Sequence, residues 1–294
     1  MVKDQAYELR KKVNREHGEK QQAHTIAVFS GKGGVGKSSF ALNFAICLSK
    51  QGKKVLIFDL DIGMGNIDIL LGMYPKHTLT SLLEERLNIE DIIEHGPTNL
   101  SYIAAGTGLT DFFHLNIERF EYFLEQLGTV TETYDYIIFD LGAGMSEEHM
   151  AFISAADECF VVTTTEPTSI TDAYAAIKHI VLDREQVNIS LLVNRVSNIN
   201  EAFLVYERLR AAVNNFLSYE IKLLGSLPDD PAVIKAVKDQ MPYYLINSRS
   251  RVSKMMAKLV LDYLKEKNEL IDSTNSNDMM FVSKLKSLFK RKVE

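Results

Sequence analysis

A chain of 294 residues, 46% of them apolar, is long enough to bury one large core or two small ones. Its apolar runs are strand-sized, far short of the ~20 residues that cross a bilayer, and neither end carries a secretory pattern, so a soluble, cytosolic protein is expected. The formal net charge of −6 argues against sequence-independent DNA binding by the body. The charge is segregated, however: Lys284, Lys286, Lys290, Arg291 and Lys292 crowd one short C-terminal segment.

Residues 1–23 are charged and poor in apolar side chains, which predicts disorder for this head alone. Val2, Ala6, Leu9 and Val13 recur at helical spacing with Asp4 as a possible N-cap, so a solvated leader and a helix formed against a partner both remain open. From Thr25 onward, strand patterns (25–30, 54–59, 100–104, 134–140, 157–164, 187–193, 220–226) alternate with helical ones (37–51, 117–131, 146–156, 169–182, 201–217, 230–238, 250–268). Alternation of this kind predicts an α/β fold, a mostly parallel twisted sheet of seven to eight strands with helices on both faces. Several strands are nearly all apolar, as strands buried on both faces must be. Cys47 falls in a helical pattern and Cys159 in a strand, which reads as two small buried hydrophobes. The seven histidines are scattered and form no ligand cluster.

The first strand runs into "SGKGGVGKSSF", which satisfies G-x-x-x-x-G-K-[ST] between a strand and a helix and marks a P-loop NTPase. Gly31, Gly33, Gly34 and Gly36 let the backbone curl around an anion, with Val35 and Ser39 completing the cradle. Lys37 is expected to reach the β- and γ-phosphates and the Ser38 hydroxyl to ligate Mg²⁺. Lys32 is extra: two lysines in one loop crowd like charges unless a polyanion lies between them, which implies a triphosphate and two subunits face to face.

In "DLDIGMGN", Asp59 and Asp61 point to one side at the C-terminal edge of the sheet, where open α/β sheets bind ligands. Asp59 is a candidate for the outer shell of the metal; the alternative, that it caps the following loop, stays open. "FDLGAGMS" ends the next long strand in Asp140, an acid placed to hold Mg²⁺, with Gly142 and Gly144 behind it to permit a mobile switch. Asn194 ends another strand. Arg195 follows it, and no N-K-x-D guanine signature is present, so ATP is expected over GTP.

Past the last domain helix, "DSTNSND" contains no apolar residue and reads as a linker. In the tail, Phe281, Val282, Leu285, Leu288 and Phe289 form one helical stripe, and Lys284, Lys286, Lys290 and Arg291 fill the rest. That pattern predicts a reversible foot on anionic lipid; folding back onto the body is the alternative. The expected organisation is a head over 1–23, an ATPase domain over 24–270, a linker over 271–278 and an amphipathic helix over 279–294.

The loop "GKGGVGKS" resembles the deviant Walker A motif of the MinD/ParA family. The resemblance implies that Lys32 crosses an ATP-bound homodimer interface to the partner's phosphates, that Asp61 positions the attacking water, and that Asn194, Pro228, Asp229 and Asp230 form the adenine pocket. That family usually has proline where this chain has Gly142. The head motif "DQAYELR" resembles the D-Q-A-x-x-L-R activator of the FlhG family, also called YlxH or FleN. This implies that Asp4, Gln5, Ala6, Leu9 and Arg10 stimulate the signal-recognition-particle-type GTPase FlhF. It further implies a switch that regulates flagellar number and placement, with flagellar basal-body and C-ring proteins as partners and a reversibly peripheral place at the inner face of the membrane. No specific nucleic acid is expected. A MinD-type division regulator is the alternative within the family. A ParA-type partitioning ATPase fits less well with the acidic charge and lipid-type tail.

Overall fold

The computed structural model describes residues 22–61, 65–106, 117–183, 187–271 and 281–293. Its strands are β1 (His24–Phe29), β2 (Val55–Leu60), β3 (Glu94–His95), β4 (Ser101–Ile103), β5 (Tyr136–Leu141), β6 (Glu158–Thr164), β7 (Ile189–Val196) and β8 (Lys222–Pro228). They form one eight-stranded sheet in the order β3-β4-β2-β5-β1-β6-β7-β8, parallel except for the β3 edge, which pairs antiparallel with β4. The α/β expectation holds. The strands feed both faces by alternation: Ile26 and Val28 of β1 enter one apolar cluster, Ala27 and Phe29 the other.

On one face pack α1 (Lys37–Lys50), α2 (Ile67–Leu71), α8 (Pro231–Lys238), α9 (Tyr243–Ile246) and α10 (Arg251–Ile271). On the other lie α3 (Leu79–Glu85), α4 (Ile117–Thr131), α5 (Glu147–Ala155), α6 (Pro167–Asp183), α7 (Ile199–Leu217) and α11 (Phe281–Val293). The short elements α2, α3, α9 and β3 are additions to the sequence reading, each too brief for a helical or strand period to register.

β1 lies between β5 and β6, so the chain leaves it toward β2 on one side and later strands fill the other. That reversal opens a crevice at the C-terminal strand ends. Register brings the acids into it together: Asp140 pairs with Asp59 on β2 and with Val28 on β1.

The C-terminal helix takes the fold-back alternative in this structure. The stripe expected to face lipid faces the body: Phe281 keeps 6% of its surface and Leu285 none, while Val282 and Leu288 pack beside them. Phe281 stacks on Phe139 with centroids 5.0 Å apart and lies 6.3 Å from Phe152. The helix is therefore packed into the body's core in this structure. The physical reason is that β5 and α5 offer an aromatic slot, and each large apolar side chain buried there contributes ~1.5–3 kcal/mol. The Lys286 ammonium stands 3.6 Å from Glu121 of α4. The side chains of Phe289, Lys290 and Arg291 lie outside the described residues, as do Asp4, Gln5, Ala6, Leu9 and Arg10 of the head. Among the described residues no helix is long and apolar enough to cross a membrane.

Candidate functional site: a phosphate loop at the sheet's carboxyl edge

The loop between β1 and α1 closes around a cleft of ≈ 210 Å³ lined by Gly33, Gly36, Lys37, Ser38, Asp61 and Ala143 among others. Gly34 and Gly36 adopt left-handed backbone at φ 78° and 90°. A side chain at Gly31 would place its Cβ 2.3 Å from the Asp172 carbonyl oxygen, so only glycine fits. Gly36 is also the N-cap of α1 and supplies no side-chain cap, which leaves the first helical N–H groups for an anion.

The two lysines have different addresses. Lys37 is buried, and its Nζ donates to Asp140 Oδ1 at 2.6 Å and to the Ser38 hydroxyl at 3.2 Å. The Lys32 side chain keeps 39% exposure and turns out of the cleft to Glu166 Oε2 at 2.9 Å and Thr168 Oγ1 at 3.2 Å. The hydrogen bond and charge of Lys32 hold the Glu166 carboxyl below its ordinary pKa.

Asp140 is fully buried, and its Oδ2 has no hydrogen-bond partner among the described residues. An orphaned carboxylate oxygen beside Ser38 and Lys37 fits a hard cation or its water, so Ser38 and Asp140 are the residues that would hold Mg²⁺. Asp59 behaves differently. Its Oδ1 accepts from the Asp61 N–H, and its Oδ2 from the Asn66 and Ile67 N–H groups. Burial, then the neighbouring Asp140, raises its pKa to about 7 against those three hydrogen bonds. Both oxygens accept from backbone N–H groups, which is the loop-capping arrangement. Asp61 is half-buried beside the cleft, with burial as the first cause of its raised pKa and Lys37 opposing.

The segments expected at the base divide. Asn194 Nδ2 donates to the Val35 carbonyl at 2.8 Å, and Arg195, at φ 56°, donates to the Gly34 carbonyl at 2.8 Å. Both residues brace the loop, and Arg195 was not expected there; its contact spans the 161 residues separating it from Gly34. Pro228 is buried at the end of β8, and Asp229 is exposed. Asp230 caps two helices at once, accepting from Ala232 and Val252 N–H groups, so its carboxylate is committed to structure in place of a base. His149 is the other unexpected side chain, set on α5 close enough to Asp61 and Lys37 to feel both charges. A histidine on a helical period carries no sequence signal for this.

Parallel sheet, loop and buried lysine–aspartate pair define a P-loop nucleotide hydrolase. Residues 23–193 match the family model described as "AAA domain". The chain is 32% identical over 239 residues to the antiactivator FleN of Pseudomonas aeruginosa, covering 81% of this chain and 85% of that one. It is 35% identical over 217 residues to the flagellum site-determining protein YlxH of Helicobacter pylori, covering 73% of each. The MinD of Pyrococcus horikoshii, solved as a complex with Mg-ADP, superposes with a TM-score of 0.67 at 22% identity over 84% of this chain and 98% of its own. The chain belongs to the FleN/YlxH family of MinD/ParA-type ATPases.

Proposed function

We propose that this ATPase is a dimerising switch that regulates flagellar number and placement, that ATP with Mg²⁺ closes two copies face to face, and that hydrolysis reopens them. The observation that carries the reading is the separate placement of Lys32: half-exposed and paired with Glu166 instead of with its own cleft, it can reach a partner's phosphates by giving up that exposed pair. Within one copy the loop N–H groups and Lys37 bind phosphate, Ser38 and Asp140 hold the metal, and Asp61 orients water. Lys37 must exchange part of its bond to Asp140 for phosphate, a change that ties the bound state to the β5 loop and its glycines.

The head, through Gln5, activates an FlhF-type GTPase, and the C-terminal helix, once out of the Phe139–Phe152 slot, docks on anionic lipid. The YlxH relative, named as a flagellum site-determining protein, supports the flagellar part of this reading. Lys32→Ala is expected to abolish dimerisation with a non-hydrolysable ATP analogue and lower turnover while leaving analogue affinity intact. Unchanged dimerisation and turnover would overturn the switch. A peptide of residues 1–20 is expected to stimulate the cognate FlhF-type GTPase, and a Gln5→Ala peptide is not.

A further inference from the structure

His149 occupies the first turn of α5, and its Nδ1 lies 2.8 Å from the Gly144 carbonyl oxygen. A carbonyl only accepts, so Nδ1 carries the hydrogen and, in the neutral ring, Nε2 presents the lone pair. Burial is the leading cause that lowers the ring's pKa; the Gly144 bond raises it, Lys37 lowers it and Asp61 raises it, and the balance favours the neutral ring.

What Nε2 faces is read from Gly142. A Cβ built there would lie 3.2 Å from Asp61 Oδ1, 3.2 Å from His149 Cε1 and 3.3 Å from His149 Nε2. Asp61 Oδ1 and the His149 ring thus converge on the same side of Gly142, no farther apart than one bridging water can span, and any side chain there would press on both. Backbone conformation does not demand this glycine: Gly144 has a φ of 91°, whereas Gly142 is absent from the left-handed positions. Its missing side chain lets the His149 ring approach Asp61, which lines the cleft.

We propose that His149 Nε2 and Asp61 Oδ1 jointly hold the attacking water between them, which makes His149 a second catalytic residue for ATP hydrolysis in this chain. The proposal rests on the reading of Asp61 as the water-orienting acid. As the water oxygen bonds to the γ-phosphorus and the bond to the β–γ bridging oxygen breaks, one water proton passes to Nε2 and leaves from there to solvent. An alanine or proline at position 142 puts a carbon 3.2 Å from both Asp61 Oδ1 and His149 Cε1 and presses the two groups apart.

The test uses the full chain with four variants. His149→Asn keeps the donor to Gly144 and removes the Nε2 lone pair; His149→Gln restores a polar atom near Nε2; Gly142→Ala sets a methyl against both groups and displaces them; Asp61→Asn tests the underlying reading. Steady-state kcat and KM are measured together with affinity for a fluorescent non-hydrolysable ATP analogue and retention of ADP in the presence of aluminium fluoride. His149→Asn and Gly142→Ala are expected to lower kcat at least about ten-fold, with KM and analogue affinity within about two-fold and aluminium-fluoride capture reduced in parallel with kcat. His149→Gln is expected to recover part of both. Wild-type kcat and capture in His149→Asn or Gly142→Ala would overturn the proposal, and so would a loss of analogue affinity that matches the loss of rate. A wild-type rate in Asp61→Asn would instead overturn the role of Asp61.

Discussion

Replacing Phe281 by alanine separates docking of the C-terminal helix from folding of the body. Phe281 stacks on Phe139 and touches Phe152, and with Leu285 it supplies the fully buried part of the helix's contact. Truncating a buried phenylalanine costs about 3 kcal/mol, of which the transfer loss is one part and the unfilled space against Phe139 another. The two buried side chains together contribute only ~3–6 kcal/mol to docking, so this loss falls on the docking equilibrium before it reaches the sheet. A 3 kcal/mol shift is roughly 150-fold in the undocked population. Amide hydrogen exchange resolves this by segment. Peptides covering 281–288 are expected to lose protection by about two orders of magnitude, while β1, β5 and β6 peptides keep theirs. Trypsin is expected to cleave at Lys284 and Lys286 correspondingly faster. Unchanged exchange in 281–288, or an equal loss across the central strands, would refute the reasoning.

Two further perturbations act on buried charge. Lys37→Met leaves Asp140 buried and unpaired, and is expected to lower unfolding stability by about 3–5 kcal/mol in denaturant titrations, apart from its loss of ATPase activity. Lys37→Met with Asp140→Asn is expected to regain most of that stability and none of the activity, and a double variant no more stable than the single one would argue against the pair. At the opposite edge of the sheet, His24 bonds Glu158 at 3.0 Å, and burial, then Lys267, lowers its pKa to about 4, with Asp157 opposing. The unfolded chain therefore binds a proton that the folded one refuses between pH 6.5 and 4. Stability is expected to fall as pH drops through that window, by up to about 1.4 kcal/mol per unit from this group, and His24→Gln is expected to flatten the slope by that amount.

The phosphate loop and the alternating framework were legible because they are written locally. A glycine spacing between a strand and a helix, and apolar strands of five to eight residues, need no knowledge of what lies across the sheet. Asp61 and Asp140 could be placed at the carboxyl edge for the same reason: each ends its own strand. Strand order could not be read this way, and it decides who meets whom. Because β5 lies between β2 and β1, Asp140 stands beside Asp59 and accepts from Lys37. Because α5 returns over the end of β5, His149 comes to Asp61, and an aromatic slot forms that takes Phe281.

The sequence by itself determined the loop, its two lysines and the amphipathic period of the last helix. Only the tertiary structure decided that Asp59 spends its oxygens on backbone, that Asp230 caps two helices, and that the apolar stripe of the last helix turns inward. Amphipathicity says that one face must leave water; it does not say whether lipid or protein receives it. That choice belongs to Phe139 and Phe152, more than a hundred residues away in the chain.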